Sequence, residues 1–298
     1  MIISASRRTD IPAFYSKWLI NRIKAGFCIV ANPFNFNQLY NVDLKPENVT
    51  ALVFWSRYPR PLMKELDLLD AMNYKYYFLF TLNNYPRKYE TNAPLLKNSL
   101  ICFKELSDRI SPELVVWRYD PIFINNEITS EFHSENFSML ANELKGFTQK
   151  CITSFITLYK KTRRNMNDEN YQPIENFSGT NEAAKLLNIL SQITSINNFK
   201  LEICCDPNDY TSSGIMPSQC IDYRILKNSL NINLIYEKDK YQREFCNCNK
   251  SKDIGMNNTC PMGCSYCYAT SSRKAALYNI KRHNPDLPVL IPIKTNSI

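Results

Sequence analysis

Apolar and polar positions alternate along this chain in blocks rather than residue by residue. Near-continuous apolar runs occupy residues 2–4, 51–55, 76–82, 114–117, 151–158, 200–204 and 231–236. Such runs, rich in β-branched and aromatic side chains, predict strands covered on both faces, as in a parallel sheet. Helical periodicity fills the intervals. Residues 15–25 carry Trp18, Leu19, Arg22 and Ile23 and stop at Gly26, a suitable residue just past a helix end. Further helices are predicted over 62–72 behind a proline pair, over 93–109, over 132–145 up to Gly146, and over 181–196 behind Thr180 as N-cap. Residues 27–44 read as a hairpin or excursion inserted after the first helix.

Seven strand–helix units in succession predict an α/β fold, a parallel (β/α) barrel, complete or partial, with an open doubly wound sheet as the alternative. No GxGxxG or GxxxxGK loop is present, so nucleotide binding of those kinds has no support. In a barrel, chemistry gathers where strands end. Here those ends are polar and basic: Arg7, Arg8 and Asp10; Ser56 and Arg57; Thr81, Asn83 and Tyr85; Arg118, Tyr119 and Asp120; Tyr159, Lys160 and Lys161. A cationic mouth would favour an anionic ligand, whereas ordinary solvated loop charge would look the same residue by residue. Arg118 and Asp120 stand out in WRYDP, between a buried strand and a proline, where a charge pair is costly.

Composition narrows the class. Of 298 residues, 44% are hydrophobic and 21% charged, which excludes a disordered chain, and 6 glycines exclude a collagen-like one. No run approaches the ~20 apolar residues of a membrane span. The opening MIISASRRTDIP places its arginines after a short apolar strand, the reverse of a signal peptide, so a cytoplasmic location is expected. Lysine and arginine exceed acids by 36 − 28, or +8, which permits an anionic partner without requiring one.

Eleven cysteines are the outlier, and eight of them lie from Cys204 to Cys267. In a reducing compartment such a cluster reads as metal binding or catalysis before disulfides. Cys260, Cys264 and Cys267 form CxxxCxxC, a spacing at which three thiolates can hold three irons of a [4Fe–4S] cluster and leave the fourth open. Tyr266 precedes the third cysteine, and a serine-capped helix is predicted over 271–282. The competing reading is a closed structural zinc site drawn from Cys246, Cys248, Cys260, Cys264 and Cys267. Cys204, Cys220, Cys246 and Cys248 could serve a second centre, with Cys205 an alternative to Cys204, or Cys246 or Cys248 could close the first one. Cys28, Cys102 and Cys151 read as core, and His133 as a surface residue of its helix. His283 falls past the last helix, and neither histidine has a cysteine partner pattern for catalysis.

The segments SASRRTDIPAFY, VFWSRYP, WRYDPI and QREFCNC–SKDIG–TCPMGCSYCYA resemble a bacterial family of unknown function with a radical-SAM-like cysteine cluster at its C-terminus. The resemblance covers nearly the whole chain, and the family is distantly similar to the spore photoproduct lyase group. In ordinary radical SAM enzymes the CxxxCxxC loop follows the first barrel strand; here it follows the last, a permuted arrangement of a similar barrel. The resemblance implies that Cys260, Cys264 and Cys267 hold the cluster, that Tyr266 lies near the adenine of S-adenosylmethionine, and that Cys204, Cys220, Cys246 and Cys248 form a second cluster site. The chain has no Gly-Gly-Glu-like segment after its second strand, and Arg118, Asp120 and Asp10 are the candidates for that role.

The sequence therefore predicts a radical-SAM-type enzyme, with a barrel over 1–245 and a cysteine segment over 246–298 packed on its mouth. One or two [4Fe–4S] clusters and S-adenosylmethionine would be its cofactors. Arg118, Asp120 and Asp10 are the candidate catalytic residues; Tyr266, Arg7, Arg8 and Arg57 are the candidates for binding cofactor. The expected substrate is anionic, a small molecule or a nucleic acid, and the expected partner is a reducing protein such as a flavodoxin or ferredoxin. Two other classes compete: an iron–sulfur- or zinc-stabilised nucleic-acid-binding module using Tyr159, Lys160, Lys161, Arg163 and Arg164, and a two-cluster redox carrier.

Overall fold

The structure, a computed structural model, describes residues 1–33, 35, 37–166 and 172–293. In chain order the elements are β1 (Ile2–Ala5), α1 (Ile11–Phe14), α2 (Ser16–Ala25), β2 (Phe27–Ala31), β3 (Leu39–Asp43), β4 (Ala51–Ser56), α3 (Arg60–Met63), α4 (Leu66–Ala71), β5 (Tyr76–Thr81) and α5 (Leu96–Ile110). They continue with β6 (Val115–Ile122), α6 (Ser130–Leu144), β7 (Lys150–Phe155), α7 (Lys160–Asn165), α8 (Asn181–Ile196), β8 (Lys200–Ile203), β9 (Met216–Pro217), β10 (Lys252–Asp253) and α9 (Arg273–Lys281).

Eight strands form one sheet in the order β10-β1-β4-β5-β6-β7-β8-β9. The pairs β10–β1, β1–β4, β5–β6, β6–β7, β7–β8 and β8–β9 all run parallel. The apolar runs explain this: β4 and β5 are buried along almost their whole length, as strands covered on both faces must be. The strands follow chain order from β4 to β9, so the expected succession of parallel strands is present. The expectation of a closed barrel is not met among the described residues, where no pairing joins β9 to β10.

The chain divides into two compact units. The first comprises Met1–Tyr77, Arg87–Ala93 and Ser251–Ile298; the second comprises Phe78–Pro86 and Pro94–Lys250. In the first, α2 buries Trp18, whose indole N–H donates to Leu287 O at 3.0 Å. The excursion after α2 is the antiparallel hairpin β2–β3, as expected, although its residues 34 and 36 lie outside the described set. In the second, Trp117 of β6 stacks on Phe137 of α6 at 4.6 Å between ring centres.

Several elements depart from the pattern reading. Residues 231–236 form no strand: Asn231 has a left-handed φ of 54°, Ile235 is 91% exposed, and no sheet pairing is made by the run among the described residues. The helix expected over 62–72 is two short helices, α3 and α4. The basic stretch at 160–165 is helical. His133 is fully buried, which corrects the surface assignment. It belongs to the stripe with Phe137, Leu140 and Leu144, and its ring bonds Tyr119 OH and Phe123 O, both at 2.9 Å. Burial lowers its pKa to about 4. Cys28, Cys102 and Cys151 are core residues as expected. Among the described residues no helix is long and apolar enough to cross a membrane.

Candidate functional site: a three-cysteine loop in the first unit

β10 lies beside β1, so Asp253 faces the loop that leaves β1. Its carboxylate accepts from Ser4 Oγ (3.0 Å), Ser6 Oγ (2.8 Å), the Arg7 backbone N–H (2.8 Å), Arg8 Nε (3.1 Å) and the Gly255 N–H (2.9 Å). Burial works against this charge, but Arg8, Arg7 and the hydrogen bonds hold the Asp253 pKa below its ordinary value. Gly255 is required by close approach: a Cβ there would lie 1.9 Å from Ser6 Oγ. Arg7 also donates to Ser251 Oγ at 3.2 Å and lies 5.6 Å from the centre of the Trp55 ring.

Asp10 ties the same loop to the end of β4. Its carboxylate caps α1 through the Ala13 N–H (3.0 Å) and accepts from Ser56 Oγ (2.7 Å) and the Arg57 N–H (2.8 Å). Burial raises its pKa to about 6 in spite of these donors.

The cysteine loop is built against residues 87–93. Asn92 N donates to Met262 O (3.0 Å), Ser265 N to Tyr89 O (2.9 Å), and Asn92 Nδ2 to Pro261 O (2.7 Å). Gly263 turns the loop with a left-handed φ of 77°. From the other side Tyr15 OH donates to Thr259 O at 2.6 Å. The loop leads to α9, whose N-cap Ser272 accepts from Ala275 N at 3.1 Å, as the serine-capped helix predicted.

Cys260, Cys264 and Cys267 are half-buried free thiols. Burial raises the Cys260 pKa well above the ordinary range, and Asp10, Cys267 and Cys264 add to it. Burial pushes Cys264 up to about 12 against the pull of Arg57. These thiols thus act electrostatically on one another in a poorly solvated place, where thiolates need a compensating cation. Beside Cys264 sits a buried polar group. Arg57 pairs with Glu90 at 2.6 Å, donates to Tyr266 OH at 2.6 Å, and directs an N–H at Cys264 Sγ at 3.8 Å. Tyr266 in turn donates to Glu90. Burial opposes the Arg57 charge, yet Glu90 and its neighbours hold its pKa well above the ordinary value. Three buried polar atoms of this region, Thr9 Oγ1, Arg57 Nε and Ser265 Oγ, have no hydrogen-bond partner among the described residues. Unmatched buried donors flanking a three-thiol loop fit a site shaped for a polar, thiolate-bound group.

The remaining candidates lie in the second unit. Arg118 pairs with Asp120, which accepts from Ser154 Oγ and, through its N–H, binds Asn83 Oδ1 at 2.9 Å. Cys204, which follows β8, has its Sγ 3.6 Å from Cys220 Sγ. Cys248 belongs to the same group, its sulfur accepting from the Ile221 N–H at 3.4 Å, and the neighbouring thiols raise the pKa of Cys220 and of Cys246. Cys205 is the half-exposed member of its pair. Arg243 faces Cys205 and Cys204, and its pKa is raised although burial opposes its charge. Among the described residues, no three His, Cys, Asp or Glu side chains converge as the shell of a single metal ion. A cluster places fewer demands of that kind, because each thiolate binds a different iron.

Arg7, Arg8, Arg57, Asp10 and Tyr266 are therefore grouped with Cys260, Cys264 and Cys267 in one unit, while Arg118 and Asp120 are grouped with Cys204, Cys220, Cys246 and Cys248 in the other. The sequence reading missed Glu90, Asp253 and Arg243. Asp253 had a visible signal in the SKDIG segment; Glu90 had none. Arg8, Arg57 and Arg118 each meet a carboxylate, so the cationic ends of the strands are largely balanced by acids. Comparisons with curated proteins and with solved structures return no match. Residues 2–269 match the model of a domain of unknown function, DUF1848, and the chain belongs to that family.

Proposed function

We propose that this protein is a radical-SAM-type iron–sulfur enzyme acting on an anionic substrate. One observation carries the reading: CxxxCxxC sets three half-buried thiols in one loop, beside Thr9 Oγ1, Arg57 Nε and Ser265 Oγ, buried atoms with no hydrogen-bond partner among the described residues. Cys260, Cys264 and Cys267 would be the ligands. A [4Fe–4S] cluster held by these three thiolates would supply the electron for reductive cleavage of S-adenosylmethionine, and with it hydrogen-atom abstraction from substrate.

The chain's own residues would hold and shield that chemistry. Asp253 and Asp10 fix the loop that carries Arg7 and Arg8, and Glu90 and Tyr266 fix Arg57. Tyr266, buried within the thiol loop, bonds both Arg57 and Glu90 and would keep water from that side of Cys264. Asp10 acts on Cys260 from the β1 side. Arg118 and Asp120 remain the candidates for substrate contact in the second unit. A low-potential reducing protein, flavodoxin or ferredoxin in class, would deliver the electron.

The test is anaerobic reconstitution with iron and sulfide, then dithionite and S-adenosylmethionine, with 5′-deoxyadenosine as the readout. Product from wild type and none from Cys264→Ala supports the enzyme. A second reading, a redox carrier or metal-stabilised nucleic-acid-binding protein, draws on the separate thiol group of Cys204, Cys220, Cys246 and Cys248. Bound iron without 5′-deoxyadenosine would favour it, as would zinc in protein kept free of oxygen.

A further inference from the structure

A guanidinium buried beside a cysteine needs a reason, because burying its charge is costly unless it is fully paired. Arg57 is 11% exposed in its side chain, and its partner Glu90 3%. The Arg57 backbone is fixed by Asp10, and its planar fork is held by Glu90 and by Tyr266 OH. That clamp leaves one N–H aimed at Cys264 Sγ, 3.8 Å away. A lysine could not reproduce it, since the fork fixes several donor directions at once.

On the reading that Cys260, Cys264 and Cys267 hold an iron–sulfur cluster, we propose that Arg57, clamped by Glu90 and Tyr266, is a positioning residue that sets the cluster's reduction potential through its N–H···S contact with Cys264. Hydrogen bonds to ligand sulfur, net local charge and solvent exposure are the protein's means of setting such potentials. Reduction adds one electron to the oxidised cluster from a low-potential donor; no bond breaks, and the donor is oxidised by one electron. The added negative charge is spread partly onto the sulfurs. An N–H donor and a positive charge at Cys264 favour the reduced state, and the carboxylate of Glu90 disfavours it. Both groups act on that sulfur. Arg57 directs its N–H at Cys264 Sγ from 3.8 Å, while Glu90 pairs with Arg57 at 2.6 Å and its backbone bridges that of Cys264. Arg57 and Glu90 thus bias the cluster in opposite directions.

The experiment is a dithionite titration of the reconstituted protein, followed by electron paramagnetic resonance, with iron and sulfide counted for each variant. Arg57→Gln should become harder to reduce by at least a tenfold change in the oxidised-to-reduced ratio at fixed potential, which for one electron is about 59 mV. Glu90→Gln should become easier to reduce, and Arg57→Lys should fall between wild type and Arg57→Gln. Intact iron and sulfide with unmoved potentials, or with shifts of the same sign for Arg57→Gln and Glu90→Gln, overturns the tuning role and leaves the cluster reading standing. Wild type that takes up no iron and sulfide overturns the cluster reading and the tuning role with it. If Arg57→Gln fails to fold, the opposite signs for Arg57→Lys and Glu90→Gln decide the matter.

Discussion

Replacing Asp253 with alanine removes the acceptor for five donors at once: Ser4, Ser6, the Arg7 N–H, Arg8 and the Gly255 N–H. Two of these are backbone N–H groups, and Arg8 is 15% exposed in its side chain. Breaking a buried ion pair from one side costs about 3–5 kcal/mol, and orphaned backbone donors place this case toward the upper end. At about 2–4 °C per kcal/mol for a chain somewhat smaller than this one, the melting temperature should fall by roughly 6–20 °C. The assay is urea or thermal unfolding of both proteins across pH. The folded-state pKa of Asp253 lies below its ordinary 3.8. Its stabilisation is therefore full above the unfolded value and disappears as pH falls through the folded one. The gap between wild type and Asp253→Ala should be constant near neutrality and close below about pH 4. A neutral-pH loss under about 1 kcal/mol, or a gap indifferent to acid, would refute the view that this carboxylate organises the β1 loop.

Three further outcomes are expected. Gly255→Ala should destabilise the protein by about 2 kcal/mol, because its Cβ meets Ser6 Oγ at 1.9 Å, and Ser6→Gly in the same chain should recover much of the loss in a double-mutant melt. His133 titrates near pH 4 when folded and near 6.5 when unfolded, so the unfolded state takes up the proton first; stability should fall by up to about 3 kcal/mol as pH drops through that window, and His133→Gln should flatten that limb in an acid unfolding series. Cys264→Ala should lose most of the iron retained after anaerobic chelation and desalting, while the core variant Cys151→Ala should retain it.

Much of the fold was legible because β1, β4 and β5 are near-continuous apolar runs, and continuity is what burial on both faces requires. The two edge strands were not legible. Each has two residues, and Lys252–Asp253 is charged; only the neighbouring β1 makes it a strand. The run at 231–236 failed for the converse reason, since apolar content without a partner edge leaves Ile235 in solvent. His133 was legible and misread: its spacing to Phe137, Leu140 and Leu144 puts it on the buried stripe. The cysteine triad was legible because its three thiols lie within eight residues. Glu90 was not, because it meets Cys264 and Tyr266 across more than 170 positions of sequence.

The bonds from Asp253 to Ser4 and Ser6 span 249 and 247 positions of the chain. During synthesis β1 and its arginine loop emerge well before their keystone, which is made some 250 residues later. Until then the loop lacks the acceptor that orders Arg7 and Arg8, and the three cysteines themselves have not been translated. The β1 loop and the three-cysteine loop therefore reach their final order only after the whole span between them has been made, so this part of the fold forms late relative to β1 itself.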